Sequence, residues 1–530
     1  MAKMTGGQAL MQSLYREGVR VIFGLPGVQL YHAMDALYES GIQFITTRHE
    51  QAASYMADGY ARASGQVGVA LVVPGPGLQN ASAGIGTAYA ASSPILVVAG
   101  QVQRNMIGVK RGVLHEVHDQ LDIIRPVTKW ASRILDPADI PAAVHEAFFH
   151  LKTGRPRPVE IEIPPETLAE EAEVTLFDPE EYGAPEPKRE DIEQGARLLA
   201  DATNPLIWVG GGVISAGASE ILQRLAEHLQ APVISTPEGK GALSDRHYLS
   251  LGVPKRSGDS LNKIIAQSDV VLAVGTRLAY PEMLDRQQVI QIDIDEEELG
   301  RNYSKTFGIL GDARRALEEL YALLSTLIPP RPSRQAELEA FKAKRFDPSI
   351  QIEPQGSLVR AIRAAMPDDG ILVAGMTQVG YYSRTHYPVY HPRTYFTSSY
   401  YGNLGYAYPT ALGAKVARPD RAVVAVSGDG GFLFNSQELA TAVKYGINAV
   451  VIVFNDNAYG NVLRDQINRF QGRTIGAELH NPDFVKLAEA YGARGVRVEP
   501  EQLESALREA LAIQAPTLIE VPVGMMPVPY

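Results

Sequence analysis

Two acidic turns lie close together in the last quarter of the chain. Gly428-Asp429-Gly430-Gly431 follows the apolar run "AVVAVS", and Asn455-Asp456-Asn457-Ala458-Tyr459-Gly460 follows "AVVIVF". Carboxylate and carbonyl oxygens suit Mg²⁺, a hard cation that keeps some water and bridges substrate phosphates. Glycines beside Asp429 let the backbone approach a diphosphate closely. A lone Gly-Asp-Gly is an ordinary tight turn. The second acidic turn is what makes the pair a candidate metal and phosphate site.

For both turns to serve one ligand, they must leave neighbouring strands at the same edge. "SQELATAVKYG" between them reads as a helix with Leu439, Ala442 and Val443 on one face. The two apolar runs then form adjacent parallel strands joined by a right-handed crossover. Open α/β sheets bind ligands at the carboxyl ends of such strands. The same alternation of buried strand and amphipathic helix runs through the whole chain, in "VRVIFGLPG", "QVGVALVVPGPG", "NPLIWVGGGV", "DVVLAVGTRL" and "GILVAGMT". It predicts an α/β protein of doubly wound parallel sheets.

At 530 residues the chain is too long for one core. An acidic, proline-bearing stretch near 166–191 and a charged one with a proline-rich start near 327–353 divide it into three expected domains, 1–170, 188–326 and 354–530. Apolar residues make up 45% and charged residues 21%, as in an ordinary globular protein. The net charge of −11 argues against nucleic acid as a partner. With no cysteine, disulfides, thiolate nucleophiles and sulfur-ligated metals are excluded. No signal peptide and no membrane-length apolar run is evident, so a cytoplasmic protein without a membrane partner is expected.

The two acidic turns resemble the diphosphate-and-magnesium motif of thiamine-diphosphate enzymes, a GDG followed by an Asn/Asp pair. That resemblance implies thiamine diphosphate and Mg²⁺ as cofactors. It gives the metal to Asp429, Asp456 and the Ala458 carbonyl, with Gly428, Gly430, Gly431, Tyr459 and Gly460 beside the diphosphate. The family usually has Asn where Asp456 stands. A second segment, "RHEQAASYMADGYAR", resembles the acetolactate synthase branch. There Glu50 is implied as the acid that shares a proton with the cofactor's pyrimidine ring. "GMTQVGYYS" implies Thr377 and Gln378 as further cofactor contacts, and "YYGNLGYAYPTALGAK" implies Asn403 and Leu404, the leucine propping the thiazolium. "FGLPGVQLYHAMDAL", "PGPGLQNASAGIGTAYAASSPILVVAGQV" and "RPVTKW" extend the likeness, which covers essentially the full chain.

The resemblance implies a pyrimidine-binding first domain, a central domain and a diphosphate- and Mg-binding last domain. It also implies a homodimer or homotetramer with active sites between subunits, and a carboligating enzyme that decarboxylates a 2-oxo acid, pyruvate foremost. The substrate side departs from the branch. Asn461 and Asp465 replace its Met and Trp, and Leu114 and His115 replace a Phe and a Gln. Gln29 and His115 are therefore the substrate-side catalytic candidates, with His118 nearby. In the central domain the branch's flavin-side element is reduced to Arg277, which weakens the expectation of FAD, although "VGGGVISAGA" could hold a nucleotide. Alternatives are a 2-oxo acid decarboxylase, an acyl-transferring or CoA-thioester lyase of the same superfamily, and a non-catalytic nucleotide-binding protein. The His-His pair of pyruvate decarboxylases and the histidine of benzoylformate decarboxylases are absent.

Overall fold

The computed structural model describes residues 2–529 apart from 256–257, 281 and 283. Met1 and Tyr530, the outer ends of the expected first and last domains, lie outside the described residues. Three six-stranded sheets carry the fold. The first runs, in spatial order, Gln43–Thr46, Val21–Gly24, Gly68–Val72, Ile95–Gly100, Val159–Ile163, Trp130–Arg133. The last runs Tyr395–Thr397, Ile371–Ala374, Val423–Gly428, Val450–Asn455, Thr517–Pro522, Arg494–Arg497. With strands numbered along the chain within each sheet, both read 2-1-3-4-6-5. The central sheet, 3-2-1-4-5-6, has the dinucleotide-binding order. All pairings in the three sheets are parallel.

Helices cover both faces, and the central strands are accordingly apolar throughout. Val423 to Val426 and Val450 to Phe454 are all buried, which fixes the two acidic turns at one sheet edge. Between them, helix Glu438–Tyr445 buries Leu439 and Ala442 fully, but Val443 remains 36% exposed. The buried stripe includes Glu438 and Thr441, leaving Val443 at its margin.

The acidic stretch after Glu166 starts as ordered structure. Helix Pro165–Ala169 leads into strand Glu171–Val174, which pairs antiparallel with Ala2–Thr5. Met4 and Val174 enter the first core, which ties this ribbon down. The charged segment after Leu327 contains helix Gln335–Arg345. Its Leu338 is buried in the central core, and the Arg345 guanidinium pairs with Asp259. No helix among the described residues is long and apolar enough to cross a membrane.

The first and last domains meet through crossed helices, Glu50–Ser64 and Ala407–Ala417. Their backbones touch. A Cβ at Gly59 would lie 2.0 Å from the Thr410 carbonyl oxygen, and one at Gly413 would lie 1.9 Å from that of Met56. Beside this crossing, Glu438 of the last domain is fully buried and accepts the Arg48 N–H with both oxygens, at 2.9 and 3.2 Å. Burial pushes its carboxyl up from 4.5 to about 7, against the hydrogen bond from Thr441 and the N–H donors around Arg48.

The folded chain therefore holds this proton more tightly than the unfolded chain. The contribution to stability is full below about pH 4.5 and is lost as pH rises through about 7. Thermal unfolding from pH 5 to 8 is expected to show wild type losing about 3 kcal/mol relative to Glu438→Gln, which has no proton to lose. Parallel pH profiles for the two proteins would contradict this.

Candidate active site

Strands Val423–Gly428 and Val450–Asn455 lie side by side with Gly428 opposite Phe454, so Asp429 and Asp456 emerge together at their carboxyl ends. Asp429 is 2% exposed. Its Oδ2 accepts from Asn481 Nδ2 at 2.6 Å, and that amide also reaches Asn455 Oδ1 at 2.9 Å. Asn481 Oδ1 is buried with no donor. Burial raises the Asp429 carboxyl. Burial, and then the charge of Asp429, push Asp456 up to about 6. No basic side chain pairs with either aspartate among the described residues. Two facing carboxylates without a counter-ion fit a bound divalent cation. The Ala458 carbonyl accepts no hydrogen bond among the described residues and is free to join them.

The surrounding glycines let neighbouring side chains pack against the two turns. A Cβ at Gly460 would lie 2.2 Å from Asp456 Oδ2, and one at Gly430 would lie 2.6 Å from the Tyr459 ring. Gly428 faces Thr377 Oγ1, and Gly431 faces Leu404, each within contact distance of an added Cβ. Thr377 precedes helix Gln378–His386 as its N-cap residue. Gln378 is buried, donates to Asn461 Oδ1 at 3.3 Å, and leaves its own Oε1 without a donor. Asn461 is also held by Arg464, which reaches the Met526 carbonyl at 3.1 Å. Asn403 is engaged elsewhere: its amide bonds Tyr55 Oη, the Ala83 carbonyl and Thr87 Oγ1. Only its backbone is left for a ligand.

The N-terminal half is built around Glu50, the first residue of its helix, with His49 Nδ1 capping the Gln51 N–H at 3.1 Å. Glu50 Oε2 accepts from Asn80 Nδ2 at 3.0 Å. Asn80 belongs to helix Pro76–Ala91, which starts after Gly75. Gly75 has φ +57°, donates to Gln120 Oε1 at 2.8 Å and packs against the His115 carbonyl. Gln120 also donates to buried Glu162, at 2.9 Å, and Glu162 pairs with Arg133. Gln29, 7% exposed, meets His115: its Oε1 lies 3.2 Å from Nδ1. The fold thus joins two substrate-side candidates that are 86 residues apart. His118 is exposed and bonds nothing among the described residues. No hydrogen bond or ion pair among the described residues links the Glu50 carboxylate to either aspartate.

A separate crevice of about 510 Å³ opens at the switch point of the central sheet, past Leu206–Val209 and Val270–Val274. Gly212 and Gly275 touch there through their backbones. Each domain contributes an arginine: Arg155, Arg277 and Arg384. Arg277 lies 4.3 Å over the Tyr400 ring. Asp293, at the strand tip, is pushed up to about 6 by burial.

Sequence reasoning missed Asn80, Asn481, Gln120 and Glu438. Asn80 stood in a recognised pattern, "GPGLQN". The others act across contacts that no local spacing reveals.

Comparison with known proteins agrees with this layout. Residues 4–123 match the family described as "Thiamine pyrophosphate enzyme, N-terminal TPP binding domain", 192–320 its central domain and 375–521 its C-terminal TPP binding domain. A "Probable acetolactate synthase large subunit" of Methanocaldococcus jannaschii is 36% identical, over 98% of this chain and 92% of its own length. An "Acetolactate synthase large subunit" of Haemophilus influenzae is 35% identical, over 97% and 93%. A "Probable 2-ketoarginine decarboxylase" of Pseudomonas aeruginosa is also 35% identical, over 98% and 94%. The chain belongs to the thiamine pyrophosphate enzymes, among the relatives of the acetolactate synthase large subunits.

Proposed function

We propose that this enzyme decarboxylates a 2-oxo acid, pyruvate foremost, and joins the remaining fragment to a second carbonyl. The observation that carries the reading is the pair of uncompensated carboxylates, Asp429 and Asp456, at adjacent strand ends, with Glu50 at a helix start in the other half-site. Bound thiamine diphosphate supplies the carbon nucleophile and the electron sink for loss of carbon dioxide. Asp429, Asp456 and the Ala458 carbonyl hold Mg²⁺ and, through it, the diphosphate. Gly428, Gly430, Gly431 and Gly460 present their backbones to it, Thr377 and Gln378 flank it, and Leu404 supports the ring. Glu50 shares its proton with the pyrimidine nitrogen, its carboxylate oriented by Asn80. Gln29 and His115, already bonded to each other, offer polar groups to the substrate.

With Glu50 in the first domain and the two aspartates in the last, the likeness to the thiamine pyrophosphate enzymes supports a homodimer or homotetramer with sites built between subunits. In the central crevice, three arginines and the glycine contact fit a phosphate-bearing nucleotide, FAD being one of that class. The cysteine-free composition supports a cytoplasmic location.

A second reading, plain decarboxylation of a 2-oxo acid, is favoured by Asn461. It stands at the acceptor-side position, yet Gln378 and Arg464 tie its side chain down. Product analysis with pyruvate decides between the two. Acetolactate is the expected product; acetaldehyde, or no turnover of pyruvate alongside turnover of a larger 2-oxo acid, would favour the second reading.

Glu50→Gln is expected to lower kcat by about 100-fold or more while leaving cofactor affinity nearly unchanged. Near-normal turnover would remove Glu50 from its assigned role. Asp456→Ala is expected to weaken Mg²⁺ binding, measured calorimetrically with thiamine diphosphate present, by about tenfold or more. Unchanged affinity would place the metal elsewhere.

A further inference from the structure

We infer that Glu438 is a positioning residue for Glu50, holding from the last domain the turn from which the first domain presents that acid. The inference rests on the reading of Glu50 given above. Helix Glu438–Tyr445 follows the Asp429 turn directly and lies against the segment Thr46–Gln51. Glu438 accepts the Arg48 N–H with both oxygens, and Thr441 Oγ1 donates to the same carboxylate at 2.6 Å. Two turns along the helix, Tyr445 Oη accepts the Thr46 N–H at 2.9 Å. On the far side of Glu50, Asn435 Nδ2 reaches Gln51 Oε1 at 3.2 Å and the Gly405 carbonyl at 2.8 Å.

The chain is thus held at positions 46, 48 and 51, bracketing Glu50, while the Glu50 carboxylate itself is left to Asn80. The Arg48 N–H lies just before the His49 cap of the helix, and the Glu438 carboxylate is a strong acceptor for it. A contact serving cohesion alone needs no such focus, because the Gly59 and Gly413 crossing already joins the two domains. This shared hydrogen bond, with the contacts at Thr46 and Gln51, fixes the direction in which the helix leaves its strand, and so where its first side chain points. Misplacement of a catalytic group by about 1 Å can cost about 100-fold in rate.

The test uses the full-length holoenzyme in four forms: wild type, Glu438→Gln, Glu50→Gln and the double variant. Glu438→Gln is expected to lower kcat about tenfold or more while KM for thiamine diphosphate changes less than about twofold. If Glu438 acts only through Glu50, the double variant is no slower than Glu50→Gln alone. Independent, multiplying losses would overturn the inference, as would wild-type kcat in Glu438→Gln. Wild-type turnover in Glu50→Gln would instead overturn the reading of Glu50, a result visible in that variant alone. Tyr445→Phe removes the acceptor for the Thr46 N–H from a half-buried ring and serves if Glu438→Gln does not fold. It is expected to give a smaller fall in kcat, likewise absent in the Glu50→Gln background; a fall that persists there would overturn the inference.

Discussion

Asp429 and Asp456 repel each other across the tips of two neighbouring strands, and no basic side chain among the described residues pairs with them. That repulsion is the constraint around which the last domain is arranged. Ionised carboxylates held this way favour a cation, and burial raises both, with the charge of Asp429 adding to the rise at Asp456. The backbone around them is shaped to keep them facing each other. Gly460 has no side chain because Asp456 occupies that space, and Asn481 fixes the Asp429 oxygen from below. The fold places two like charges together, an arrangement that fits a bound cation.

The first and last sheets share one strand order, so the chain presents two equivalent carboxyl edges. They have diverged in chemistry. The last domain uses its edge for acidic, glycine-rich turns. The first domain uses the corresponding end for a helix that begins in Glu50 and for the Gly75 turn that carries Asn80. Asn403 shows how the two edges stay in register. Its side chain bonds Tyr55, Thr87 and the Ala83 carbonyl of the first domain.

The two acidic turns, the strands before them and the Glu50 helix start were legible in the sequence, because each depends on residues a few positions apart. Apolar periodicity gives the strands, and glycine and aspartate types give the turns. Val443 was assigned to the buried face because an apolar residue is usually taken to face inward, whereas Glu438 occupies that stripe to hold Arg48. The Asn481 bridge, the Gln29–His115 pair and the Glu438 clamp join residues from remote parts of the chain, and no local pattern encodes such meetings. The acidic stretch after Glu166 reads from composition as a domain boundary, and Val174 and Met4 gain enough burial to pin its first residues as a strand.

The central claim is that one site takes Glu50 from one subunit and its aspartates from another. Co-expression of Glu50→Gln subunits with Asp429→Ala subunits tests it directly. Each variant alone is inactive, but a mixed dimer keeps one site with Glu50 and Asp429 both intact. Random pairing should then restore about a quarter of wild-type activity. Mixed assemblies, shown to form by mass but as inactive as either parent, would mean that the acid and the metal carboxylates act within a single chain.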